Sequence, residues 1–97
     1  MYTIYVSYKC VPGKREEWIR QLNEKGYVSA IRAEEGCIRY DYYFAENDPD
    51  EVLLIEAWES QAHQQAHIQT PHMALVKQMN ASFVESVKIG QYKLMDI

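Results

Sequence analysis

Clustered positive charge is what this chain most lacks. Its 97 residues carry ten Lys and Arg against fourteen Asp and Glu, a formal net charge of −4. The densest cationic feature, Lys14-Arg15, runs straight into Glu16-Glu17. Phosphate backbones are gripped by clustered cations, so nucleic acid is excluded as an expected partner. Long apolar runs are missing too. No stretch approaches the ~20 apolar residues that a membrane span needs. Met1-Tyr2-Thr3-Ile4-Tyr5-Val6 lacks the charged segment and apolar run of a secretory leader. The expected location is therefore cytoplasmic, with no membrane partner, and the only two cysteines, Cys10 and Cys37, are expected as free thiols. Glycine (four) and proline (three) are scarce, so each one present marks a break worth reading.

What is there fits one globular domain, 1–97. Apolar residues make up 47% and charged residues 25%, ordinary values for a globular chain of single-core size. Eight tyrosines stand out. They suit strand positions, and equally a surface that meets a ligand or partner.

The chain alternates cleanly from Tyr2 to Cys10: Tyr2, Ile4, Val6 and Tyr8 face one way, and Thr3, Tyr5, Ser7 and Lys9 the other. Val11-Pro12-Gly13 ends that strand. Trp18, Ile19, Leu22, Val28 and Ile31 form an apolar stripe at helical spacing, predicting one helix from Lys14 to about Glu34. Gly26 marks a kink or close contact within it, and Gly36 a left-handed cap at its end. Two further strands are predicted over Cys37 to Phe44 and Glu51 to Trp58, joined as a hairpin. In the first, Ile38, Tyr40, Tyr42 and Phe44 share a face; in the second, Val52, Leu54, Glu56 and Trp58 do. Ser60 caps a short helix, and Thr70, followed by Pro71, caps a second one running to about Ala81. Phe83 to Leu94 reads as extended, with Gly90 a candidate bulge. The order β-α-β-β-α-β is that of an α+β, ferredoxin-like fold with an antiparallel sheet. Helices cover one sheet face, and the apolar residues on the other predict a homodimer in which two sheets stack.

Candidate chemistry concentrates between Glu56 and His72, which hold all three histidines and Trp58. His63 and His67 lie four apart on one helix face. The intervening Gln64-Gln65-Ala66 lack the glutamate of a His-Glu-x-x-His motif, and the cysteines lie at different strand ends, so no metal site is expected. A histidine tuned near neutral pH serves as a general base. His67 is the first candidate; the alternative is that His67 merely lines the cavity and His63 faces solvent. His72, in the first turn after Pro71, is the second, since the positive end of a helix dipole favours a neutral imidazole. Thr70-Pro71-His72 is equally a capping motif. Glu56, set in an apolar row, must be paired, protonated or functional. Structural pairing is the expectation, with Arg39 a possible partner. Trp58 is either core or a wall on which a planar ring stacks. Tyr5, Tyr27, Tyr40 and Tyr42 are candidates to bond a ring oxygen.

Two stretches carry a resemblance: Glu-x-Gly-Cys-x-Arg-Tyr-Asp over Glu34 to Asp41, and Glu-x-Trp at Glu56 to Trp58 followed by a spaced histidine and Thr70-Pro71-His72. From about Tyr2 to Leu94 the chain resembles the antibiotic biosynthesis monooxygenase family. The resemblance implies a dimeric α/β barrel with a pocket between sheet and helices in each protomer. It further implies a monooxygenase that uses no metal, flavin or other cofactor. In such an enzyme a quinol- or phenol-type substrate is deprotonated by His67 or His72, and its anion reacts directly with O2. Trp58, Tyr40, Tyr27, His63 and Arg39 would then line the substrate. Two alternatives stay open on the same scaffold: a non-oxidative small-molecule isomerase, and a non-catalytic ligand-binding or stress-related dimer. The sequence departs from the family at Gly26-Tyr27-Val28, where many members carry a histidine. That weakens the isomerase reading. The absence of a histidine after His72 argues against haem degradation.

Overall fold

A computed structural model describes residues 1–97. Four strands and four helices follow the expected order. They are β1 (Tyr2–Cys10), α1 (Arg15–Glu24), α2 (Tyr27–Arg32), β2 (Cys37–Phe44), β3 (Glu51–Trp58), α3 (Gln61–Ile68), α4 (Pro71–Phe83) and β4 (Val84–Gln91). The strands form one antiparallel sheet in the order β2-β3-β1-β4, the ferredoxin-like arrangement predicted from the sequence. No helix is long and apolar enough to cross a membrane.

Register places Ile4, Val6 and Tyr8 opposite Glu56, Leu54 and Val52 on one side, and opposite Gln91, Ile89 and Val87 on the other. Tyr40, Tyr42 and Phe44 continue this inner face on β2. The helices cover it with two apolar clusters. Trp18, Leu22, Val28, Val76 and Phe83 pack on Cys10 and Val52 at one end. Ile31 meets Val6, Tyr40, Leu54 and Trp58 at the other. Both tryptophans are fully buried, and each buried large side chain of this kind contributes about 2–3 kcal/mol. Trp18 donates its Nε1–H to Asn80 Oδ1 at 2.8 Å, which ties α1 to α4.

Four sequence expectations need correction. The single helix over Lys14 to Glu34 is two, because Gly26 takes φ +79° and breaks the ladder between α1 and α2. α2 stops at Arg32, so Gly36 (φ +81°) does not cap it; Gly36 forms the turn that enters β2. Strict alternation fails at the start of β2. An irregularity between Cys37 and Arg39 pairs Cys37 with Trp58, which turns Cys37 inward and leaves Ile38 exposed. Gly90 is not a bulge: it pairs regularly with Tyr5, and a Cβ there would overlap the Tyr5 ring. The bulge on that strand pair lies at Lys9/Cys10.

Candidate active site

A cavity of about 550 Å³ lies between the inner sheet face and the α3–α4 pair. Its walls include Tyr2, Ile4, Val6 and Tyr8 from β1, Tyr40 and Glu56 from the hairpin, His67 from α3 and Met73 from α4. Local sequence sets the helices that position it. Ser60 Oγ accepts from the His63 backbone N–H at the start of α3, and Thr70 Oγ1 accepts from Met73 N–H at the start of α4. Thr70 also donates its hydroxyl to the His67 carbonyl at 2.9 Å. The break between α3 and α4 is thus fastened at His67 itself.

His67 is buried, with 3% of its surface exposed. Its Nδ1 lies 3.0 and 2.9 Å from the two carboxylate oxygens of Glu34. A carboxylate only accepts, so Nδ1 carries the hydrogen and the Nε2 lone pair is left free. Nε2 makes no hydrogen bond within the protein, yet it is not a sealed orphan: the one buried side-chain polar atom without a partner is Arg15 Nε. The free edge of the imidazole therefore opens into the cavity that His67 lines. Trp58 packs on the ring at 4.7 Å between centroids with the planes tilted by 35°, and Tyr40 meets it edge-on at 5.6 Å. Burial pushes the His67 pKa below its ordinary value; the Glu34 hydrogen bond opposes this. The imidazole is held neutral at pH 7, with a basic nitrogen facing a largely apolar chamber.

Glu34 also accepts from His72, Oε2 to Nε2 at 2.6 Å. One carboxylate, from the turn between α2 and β2, thus holds a histidine from each of two helices. His72 joins the site through this carboxylate and is not part of the cavity wall. Glu34 is the residue that reading the sequence missed. Its only sequence signal is its place three residues after the buried Ile31, just beyond the end of α2. No group of three or more His, Cys, Asp or Glu side chains is placed to hold a metal ion.

The other candidates fall in different places. Trp58 and Tyr40 flank His67. Tyr27 packs against the Trp18 cluster at the far end of the core and is not among the cavity residues. His63 faces outward from the cavity: its Nδ1 lies 2.7 Å from Ser60 Oγ, and its ring covers Gly36, whose carbonyl accepts from Glu59 N–H. It fastens the turn carrying Glu34 to the start of α3. Arg39 pairs in register with Ala57, on the opposite sheet face from Glu56. It binds Asp41 and Tyr43 instead, at 3.0 and 2.6 Å. The expected Arg39–Glu56 pairing is therefore corrected: Arg39 alternates with the inward Tyr40 and so lies on the outer face, while Glu56 points inward. The sole hydrogen-bond partner of Glu56 is Trp58 Nε1, at 3.0 Å. Its pKa is pushed up to about 7, chiefly by burial.

Known proteins resemble this chain in sequence and in fold. Residues 1–78 match the model of the antibiotic biosynthesis monooxygenase family. Over 81 residues the chain is 33% identical to the Escherichia coli protein named "Probable quinol monooxygenase YgiN", covering 75% of this chain and 78% of that one. Among solved structures, PA3566 from Pseudomonas aeruginosa superposes with a TM-score of 0.83 at 28% identity, over 98% of this chain and 94% of that one. SO0527 from Shewanella oneidensis gives 0.83 at 25%, over 94% and 87%. The match runs through the Glu34 turn, the Glu56–Trp58 strand end and the capped His67–His72 junction, and the chain belongs to the antibiotic biosynthesis monooxygenase family.

Proposed function

We propose that this protein is a cofactor-independent monooxygenase that oxidises a small quinol- or phenol-type aromatic with O2, and that His67 is its general base. One observation carries the reading: a buried neutral histidine, locked by Glu34 in one tautomer, presents its free Nε2 to a cavity walled by aromatic and apolar side chains. Nε2 takes a phenolic proton. The imidazolium so formed is stabilised by the Glu34 carboxylate on the other side of the ring, as in carboxylate-oriented histidine bases generally. Ile4, Val6, Ile68 and Met73 supply apolar walls for the ring while its anion meets O2. Trp58 and Tyr40 brace the base, and His72 is a positioning residue that fixes Glu34. The name of the relative, "Probable quinol monooxygenase YgiN", supports the substrate class.

The test is O2 consumption with menadiol by metal-free protein. The wild type is expected to exceed the uncatalysed rate. His67→Ala should lower kcat/KM by ~100-fold or more, the usual contribution of a positioned base. Glu34→Gln should lower it by ~10-fold or more through loss of tautomer control. Since the base must be neutral, kcat/KM should fall on the acid side with a midpoint below the ordinary histidine value. No turnover above background, or full activity in His67→Ala, sinks the proposal. Product formation without O2 would favour the isomerase reading instead. A pocket lined only by apolar residues, with all three histidines exposed, would favour a non-catalytic module; burial of His67 counts against it.

A further inference from the structure

The cavity holds a second ionisable group that the base mechanism leaves idle. Glu56 is 4% exposed and projects from β3 among Val52, Leu54 and Trp58. No Lys, Arg or His forms an ion pair with it. Its Oε1 accepts from Trp58 Nε1, and its Oε2 has no partner in the protein. Oε2 is not sealed in either, by the same reasoning that applies to His67 Nε2. Glu56 lines the cavity together with His67. The wall also carries Gln64, Gln65 and Gln91, but Glu56 and His67 each have one side anchored and one side free, an arrangement suited to orienting a ligand with two polar atoms.

We propose that Glu56 is the second substrate-contacting group of this cavity, bonding through Oε2 to a ring oxygen other than the one that meets His67. The inference rests on the aromatic-substrate reading above. It narrows the substrate to rings that carry two oxygens, and it gives Glu56 a role beyond holding Trp58. The groups facing Glu56 decide which form it takes. Tyr8 approaches from β1, Tyr40 and Tyr42 from β2, Cys37 and Glu34 from the start of β2 and the turn before it, and His67 from α3. α4 contributes only Met73 to the cavity and β4 only apolar residues and Gln91. Among these groups no Lys or Arg offsets the carboxylate, and the Glu34 charge opposes it. Below about pH 7 Glu56 is therefore neutral and can donate; above it, the carboxylate only accepts.

Menadione separates these states, because both of its oxygens only accept. Calorimetric titration of menadione into the full chain should give a Kd that rises about tenfold from pH 6 to pH 8.5, the scale of one hydrogen bond lost from a buried site. In Glu56→Gln the amide donates at every pH, so the profile should be flat. A direct readout covers the case in which that variant does not fold. The Glu56 carboxyl carbon, followed by NMR in the wild type, should titrate about one pH unit higher with menadione bound, which is the same tenfold seen from the protein side. Equal slopes in wild type and Glu56→Gln, or an unmoved NMR midpoint, overturn the proposal. If either occurs while menadiol is still oxidised in a His67-dependent way, only the Glu56 assignment falls. If menadione does not bind and menadiol is not oxidised, the aromatic reading falls with it.

Discussion

At the scale of single residues, the site is a division of labour between two carboxyls. Glu34 is held as an acceptor by two imidazoles. Glu56 has one indole and little else, and its pKa rises from the ordinary 4.5 to about 7. That shift has a sign in stability. A group whose folded pKa lies above its unfolded value stabilises fully below the unfolded pKa, and loses that contribution as pH rises through the folded one. Glu56 should therefore cost about 3 kcal/mol of stability between pH 4.5 and pH 7, at 1.36 kcal/mol per unit. Urea unfolding at about pH 8 is expected to find Glu56→Gln more stable than wild type by roughly 2–3 kcal/mol, with little difference near pH 4.5. A wild-type curve with no such slope would count against a buried neutral Glu56. Sequence could flag Glu56, since an acid in the row Val52, Leu54, Trp58 is conspicuous. It could not supply the partner: Arg39 lies on the outer face, as strand alternation puts it, and the one bond Glu56 makes is to the Trp58 indole two residues on. Glu34 was harder still, with partners 33 and 38 positions away.

At the scale of elements, the legible features were those governed by neighbours in sequence. Ser60 and Thr70 cap α3 and α4 as expected, because the cap is a bond to a residue three positions on. Trp18 and Leu22 on α1 and Val28 and Ile31 on α2 are buried as their spacing predicted. The break at Gly26 and the offset start of β2 were not legible in detail. A glycine signals freedom without saying whether a helix bends or ends, and a bulge is set by the partner strand. The turn at Gly36 joins this scale to the site. It carries a positive φ, and a Cβ there would overlap the His63 ring that covers it. Gly36→Ala is expected to cost about 2 kcal/mol or more, from left-handed backbone strain and displacement of His63. Because Glu34 rides on the same turn, the variant should lose activity even at temperatures where circular dichroism shows it folded. A stable and fully active Gly36→Ala protein would contradict that coupling.

At the scale of the whole molecule, the helices cover one sheet face and leave the other open. Tyr5 and Tyr43 are exposed there, beside Leu53 and Ile55. Tyr5 lies across Gly90, which keeps that face flat over β4. We propose that two copies stack on it, as the sequence pattern predicts. Sedimentation should give twice the 11.4 kDa chain mass, and Ile55→Asp, a charge at the middle of the face, should give the single chain. A wild-type monomer at micromolar concentration would refute the stacking. Order, sheet topology and the buried face were all readable in advance, because they follow from periodicity. The convergence of Glu34, His67 and His72 was not, because it exists only once the chain has folded.

The contact between Trp58 and His67 also has an optical consequence. The chain has two indoles. Trp18 sits between the rings of Tyr8 and Tyr42 and bonds Asn80; only Trp58 lies against an imidazole. A protonated imidazole accepts an electron from an excited indole far more readily than a neutral one. The emission of Trp58 should therefore dim when His67 gains a proton, so that the protein carries its own light-based report on the charge of its candidate base.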